Sequence, residues 1–299
     1  MLRHERFNRA DRVIRIGFWM NAFLMVIKLA AGHFGHSEAV FADGVESACD
    51  LVVMAATIVA LKVGRKPFDE EHPYGHGKVE SLSAILVSLI ICATGLWILY
   101  DSVVRIREGD YESPQLMAVG AALVTILVKW ALGRYTMGIG NQLGSPAVVA
   151  VARDHKKDAI TSVATLIGVT GAYFGVEMMD PIAAGITAFF IVHLGLQGFR
   201  MSAHELMDGR PQAELMSSIA EVAAAVPGVG RVHEIRGRRS GQYIIVDMEL
   251  DMDPEMTVKQ SHDIVETVKR LIFERFPNVG DVMIHINPWD DPHEDLTRL

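Results

Sequence analysis

Cysteine is nearly absent from the chain: there are two in 299 residues, Cys49 and Cys92. Both fall inside apolar runs, which offers neither a disulfide framework nor a thiolate metal site and leaves them as small packing residues. An overall charge balance of the kind that marks nucleic-acid binders is also missing. With a formal net charge of −8 and its acids spread along the chain, the protein is not expected to bind nucleic acid. A secretory leader is not in evidence either. The stretch MLRHERFNRADRVIR is charged for too long and lacks a small-residue cleavage site, so the first apolar run is expected to be a retained span. Finally, Lys and Arg are missing from residues 32–37 and 175–181.

What is present is apolar. Half of the residues are hydrophobic, and the mean hydropathy is +0.25, which fits an integral membrane protein with one helical bundle and a small soluble domain. Six segments are long enough to cross about 30 Å of hydrocarbon, near 13–34, 38–63, 79–105, 114–138, 146–174 and 178–200. Between them lie turn and breaker signals at 32–37, Lys66-Pro67, Ser113-Pro114, Gly144-Ser145-Pro146 and Asp180-Pro181. Arg3, Arg6, Arg9 and Arg12 precede the first span, and Lys62, Arg65, Lys66 and Lys78 flank the second connection. By the positive-inside rule both termini are expected to be cytoplasmic.

The chain divides into a cytoplasmic N-terminal segment (1–12), a six-helix transmembrane domain (13–208), a cytoplasmic domain (209–290) and a polar tail (291–299). In the third part the pattern predicts a helix over 211–225, strands over 231–238 and 243–251, a helix from Thr257 to about 276, and a strand over 281–287. The fold class is therefore an α-helical membrane protein with a C-terminal α+β domain of α-β-β-α-β order.

Three constellations carry chemistry. Glu46 and Asp50 in the second span, and Asp154 and Asp158 in the fifth, are each spaced i, i+4, which puts each pair on one helix face. A carboxylate at bilayer depth costs roughly 2.5 kcal/mol or more, and a bound cation would account for four of them. An all-carboxylate site suits hard divalent ions such as Mn²⁺ or Fe²⁺, and exchangeable protons on it form a natural basis for antiport. The alternative is that Asp154 and Asp158 pair with Arg153, Lys156 and Lys157 at a helix end; Glu46 and Asp50 have no such basic neighbours. His155, spaced i, i+3 from Asp158, is an alternative ligand to Asp154. The second constellation is the loop after the second span, where Asp69, His72 and His76 offer a carboxylate and two imidazoles, with Gly75 and Gly77 allowing a tight fold. Its His-x-x-x-His spacing would suit a metalloenzyme only on a helix, which Pro73 and Gly75 oppose, so no enzymatic activity is expected. The third consists of His233, Glu249, His262, His285 and Asn287, whose spacing alone does not bring them together. Lys28, Lys129 and His193 have no second ligand at helical spacing and read as snorkelling or internally paired residues.

Together, Phe41-Ala-Asp-Gly-Val-Glu46-Ser-Ala-Cys-Asp50, His72-Pro-Tyr-Gly-His76-Gly-Lys78-Val-Glu80, Asp154-His-Lys-Lys-Asp158 and the Val226-Pro-Gly-Val229…His233 segment resemble the cation diffusion facilitator family. That resemblance implies a homodimer of six-helix protomers, each with a metallochaperone-like cytoplasmic domain. It further implies export of divalent metal from the cytoplasm, by alternating access, in exchange for protons. Glu46, Asp50, Asp154 and Asp158 take the family's transport-site positions, and Asp69, His72 and His76 its loop site. His233, His262 and His285 match tail-domain ligands that the family uses for metal sensing and dimer closure, whereas Glu249 and Asn287 stand where zinc-type members often have His and Asp. Lys78 and Asp208 match a structural pair that ties protomers together. The Asp-x-x-x-Asp of the fifth span resembles manganese-type members, and other stretches resemble the magnetosome iron-transport branch. The expected cargo is thus Fe²⁺ or Mn²⁺, with Zn²⁺ or Cd²⁺ as alternative, and the expected location a bacterial inner membrane or a magnetosome-type derivative. A non-transporting metal sensor is the remaining reading.

Overall fold

The computed structural model describes residues 3–109, 111–143 and 145–289, so Gly144 and the 291–299 tail lie outside the described residues. Six long helices come first: α1 (Arg3–Phe34), α2 (Glu38–Gly64), α3 (Val79–Glu108), α4 (Leu116–Leu143), α5 (Pro146–Tyr173) and α6 (Met179–Leu206). Then follow α7 (Ala213–Ala224), β1 (Arg231–Ser240), β2 (Tyr243–Met252), α8 (Val258–Arg275) and β3 (Val279–Pro288). The element order matches the reading of the sequence, with the first helix starting ten residues earlier and the fourth and sixth running five or six residues further.

Five of the six long helices, all but α5, are long and apolar enough to cross a membrane. α5 has the same 28-residue length as α4 and α6, but its first half carries Arg153, Asp154, Lys156, Lys157 and Asp158, which lowers its hydropathy. It starts cleanly nonetheless. Ser145 accepts a hydrogen bond from the Val148 N–H, and Pro146 occupies the first turn, where its missing donor costs nothing.

The chain forms two compact units, one of residues 1–56 and 86–198, the other of residues 57–85 and 199–299. In the first, Ala42 and Cys49 of α2 pack with Ile91 and Ile98 of α3 and Ala184, Ala188 and Ile191 of α6. Ala31, Val40, Ala118, Ala121, Ala122 and Val169 join α1, α2, α4 and α5. Small residues dominate both clusters because helix packing in lipid rests on close backbone approach. At Gly195, a Cβ would lie 2.6 Å from Cys92 Sγ and 2.9 Å from the Cys92 nitrogen, so any larger residue would push α3 and α6 apart.

In the second unit the sheet order is β1-β2-β3, β1 antiparallel and β3 parallel to β2. The parallel pair requires a crossover, which α8 provides. Ile244, Val246, Met248, Leu250 and Met252 alternate onto the core against Met216 and Ile219 of α7 and Val268 and Ile272 of α8. α8 begins on a capping box in which Thr257 accepts from the Gln260 N–H and the Gln260 side chain accepts from the Thr257 N–H. The opposite face of β2 carries Asp247, Glu249 and Asp251, the polar half of the strand.

Candidate metal sites

The loop after α2 gathers its three predicted ligands. The ligand atoms of Asp69, His72 and His76 all lie within 4.8 Å of one another, and among the described residues no other three His, Cys, Asp or Glu side chains do so. Asp69 Oδ1 accepts from the His72 backbone N–H at 2.7 Å, while Asp69 Oδ2 lies 3.4 Å from His76 Nε2. His76 Nδ1 lies 3.2 Å from the Pro67 carbonyl, which can only accept, so Nδ1 is a donor there and Nε2 is the ring nitrogen that faces Asp69. The His72 and His76 ring centroids are 4.5 Å apart. Gly75, at φ +80°, makes the reversal that returns His76 to Asp69. The His72 N–H holds the exposed Asp69 carboxyl below the usual carboxylate range, helped by both imidazoles. A carboxylate and two imidazoles in reach of one point form a donor set that accepts divalent transition metals.

Just beyond the loop, Lys78 donates to Asp208 Oδ1 and to the Glu205 carbonyl, each at 2.7 Å. Asp208 has φ 56°. It closes α6 as the left-handed residue of a Schellman turn, with Gly209 N–H reaching the His204 carbonyl at 2.8 Å and Asp208 N–H the Glu205 carbonyl at 3.3 Å. The turn aims the carboxylate at Lys78.

The four spanning carboxylates are arranged differently. Asp158 exerts its charge on both Glu46 and Asp50, so α5 and α2 bring these three into electrostatic reach. They do not close to ligand distance. Asp158 Oδ2 is instead taken by the Lys129 ammonium of α4 at 2.6 Å, and Asp154 is exposed. His155 is 3% exposed, its ring lies against Gly17 of α1 and its Cβ beside Gly133 of α4, and among the described residues neither ring nitrogen has a hydrogen-bond partner.

Two residues read as bystanders in the sequence prove central here. Lys28 makes a buried ion pair with Asp43 at 2.9 Å and donates to Ser47 Oγ at 3.1 Å. Ser162 of α5 donates to the same Asp43 at 3.1 Å. Asp43 lies i−3 from Glu46 and i−7 from Asp50, the same helix face, so spacing alone could have included it. Lys28 and Lys129 left no such signal, because their partners come from other helices.

The tail-domain residues separate into three places. Glu249 and His285 are register neighbours across β2 and β3, and Asn287 donates to Glu249 Oε2 at 3.1 Å. His233 sits at a bulge between Val232 and Glu234, where its Nδ1 takes an Arg231 N–H at 2.9 Å and lies 3.9 Å from Asp251. His262 is on α8 beside Glu266, 3.6 Å away. Asp251, buried and held by Arg231 at 2.9 Å, went unnoticed in the sequence.

Comparison with known proteins decides the family. Residues 14–207 match the cation efflux transmembrane domain, and residues 211–289 match the cation efflux protein cytoplasmic domain. The chain belongs to the cation efflux family. Members of this family are the cation diffusion facilitators, metal-efflux transporters rather than enzymes. Over 292 residues the chain is 35% identical to the manganese efflux system protein MneP of Bacillus subtilis, covering 95% of this chain and 98% of that one. It is 32% identical to the magnetosome protein MamB of Paramagnetospirillum magneticum over 278 residues, covering 93% and 94%. Among solved structures, a MamM C-terminal domain in a manganese form is 33% identical and covers 25% of this chain and 95% of its own, with a TM-score of 0.25.

Proposed function

We propose that this cation efflux protein is a proton-coupled antiporter that carries Mn²⁺ or Fe²⁺ out of the cytoplasm by alternating access. The observation that carries the reading is the acidic face shared by α2 and α5, where Asp158 is within electrostatic reach of Glu46 and Asp50 in the interior of a helical bundle. Glu46, Asp50, Asp154 and Asp158 are the transport ligands, and rocking of the helices closes the gaps between them around the ion. Asp154 rather than His155 completes the set, since the imidazole is buried with its ring against Gly17 of α1. Four carboxylates favour a hard dication over zinc, and the similarity to a manganese efflux protein points the same way. Protons replacing the ion on the far side would reset the acids. Zn²⁺ or Cd²⁺ is the second cargo reading, supported by the two imidazoles of the Asp69, His72 and His76 loop.

The protein works as a homodimer with both termini cytoplasmic, in a bacterial inner membrane or a membrane derived from it. Its tail domains use His233, Glu249, His262 and His285 to sense metal, and Lys78 with Asp208 steadies the assembly. In proteoliposomes, E46A and D158A should each abolish Mn²⁺-driven proton flux while the protein stays dimeric; flux at the native rate in either would remove the four acids from the transport site. Competition among Mn²⁺, Fe²⁺ and Zn²⁺, repeated in D154H, tests the cargo. A preference unchanged by that substitution would overturn the hard-ligand argument.

A further inference from the structure

Lys28 and Lys129 are both buried cations, at 1% and 2% exposure, yet they are held in different ways. Lys28 is enclosed: its partner Asp43 is as buried as itself, and Ser47 Oγ and the Asp43 carbonyl complete the ammonium's three hydrogen bonds. Lys129 has a single acceptor among the described residues, Asp158 Oδ2 at 2.6 Å. That acid is open on its other side, with a side-chain exposure of 25% against 2% for the lysine. The Lys129 charge also acts on Asp50 and Asp154. Asp43 is thus neutralised by a fully satisfied partner, whereas Asp158 is neutralised by a cation on a flexible four-carbon stem, facing an accessible carboxylate.

We propose that the Lys129 ammonium is a tethered counter-cation: it occupies Asp158 when no metal is bound, the cargo ion displaces it, and its return helps expel the ion. This rests on the reading of Glu46, Asp50, Asp154 and Asp158 as the transport site. The physical reason is charge. Without Lys129, Asp158 would stand as an uncompensated acid beside Glu46 and Asp50, costly when empty and too tight a trap when filled. With it, the empty state is stabilised, and a dication reaching Asp158 meets an ammonium whose repulsion at contact distance is weakly screened in the bundle interior. The exchange is of whole charges, and the ammonium keeps its proton throughout. Lys129 is a positioning residue, acting on the ion through Asp158.

The test is Mn²⁺ transport by the full-length protein in proteoliposomes, comparing K129Q, K129R and the native chain. Removing the competitor should lower the KM for Mn²⁺ several-fold in K129Q and slow turnover through delayed release, while K129R, which keeps the charge, stays close to the native KM. A lysine that only supports the fold would lower turnover without tightening KM, so an unchanged or raised KM in K129Q overturns the proposal. Should K129Q not fold, amine-specific labelling of Lys129 in the native protein replaces it. Several-fold faster labelling with Mn²⁺ supports displacement, and a rate unaffected by Mn²⁺ excludes it. E46Q and D50N, measured alongside, separate the two levels. Native transport in both overturns the site itself, whereas inactive E46Q and D50N with an unchanged KM in K129Q overturn only the counter-cation.

Discussion

Replacing Lys28 by Met would leave the Asp43 carboxyl buried, with the Ser162 hydroxyl as its remaining side-chain partner among the described residues. Breaking a buried pair on one side costs about 3–5 kcal/mol, so K28M should unfold well below the native protein in a detergent melt. K28M combined with D43N should recover most of the loss, and no recovery would mean that Lys28 acts through other contacts. The loop acid behaves differently, because it is solvent-exposed and held by hydrogen bonds. With its folded-state pKa depressed by the His72 N–H, the contribution of Asp69 to loop order is complete above the free-acid value of about 3.9 and is lost as pH falls through the lower, folded value. Carboxyl ¹³C NMR should find the Asp69 midpoint below that of a free Asp; a midpoint at or above it would dismiss the His72 bond. Residue types and spacing announced Asp158 and the loop acid, while Asp43, on the same helix face as Glu46 and Asp50, was passed over. Their cationic partners stayed hidden, since Lys28 and Lys129 meet Asp43 and Asp158 only after α1, α2, α4 and α5 pack.

The elements were largely legible because each carries its own punctuation. Ser145-Pro146 opens α5, Thr257 and Gln260 open α8, and Ser240-Gly241 turns β1 into β2 with Gly241 at φ +61°. The capping box lends itself to measurement: T257A removes the acceptor for the Gln260 N–H and should cost about 1 kcal/mol. For a domain of this size that is a fall of about 4–8 °C in Tm, read as the cytoplasmic-domain transition of the full chain. An unaltered transition would show that packing alone holds the start of α8. What the elements did not disclose was the bulge at His233. An extra residue in one strand depends on the partner strand, so the direction of His233 is absent from the pattern of β1 itself.

At the scale of the molecule, Lys78 and Asp208 join chain segments 130 residues apart. Their side chains are 38% and 55% exposed, and such pairs contribute at most about 1 kcal/mol. K78A should therefore leave the thermal midpoint nearly unchanged. If the pair steadies the assembly as proposed, the dimer fraction on dilution will fall in K78A and return in the charge-swapped K78D with D208K. A dimer fraction equal to the native one would confine the pair to capping α6. The distinction matters because the left-handed turn at Asp208 already accounts for the residue locally.

The sequence by itself determined the six long helices, five of them apolar enough to cross a membrane, the α-β-β-α-β tail and the positions of the acids. Each of these follows from local periodicity, local breakers, and the cost of placing charge in an apolar run. The loop ligands were legible for the same reason: Asp69, His72 and His76 lie within eight residues, and Gly75 suffices to fold them together. Tertiary structure alone decided which charge neutralises which. Lys129 reaches Asp158 across 29 residues, Lys28 reaches Asp43 across 15, and His155 is sealed between α1 and α4. Helical spacing orders side chains along one helix, but the partner of a buried charge is set by the neighbouring helix that excludes water from it.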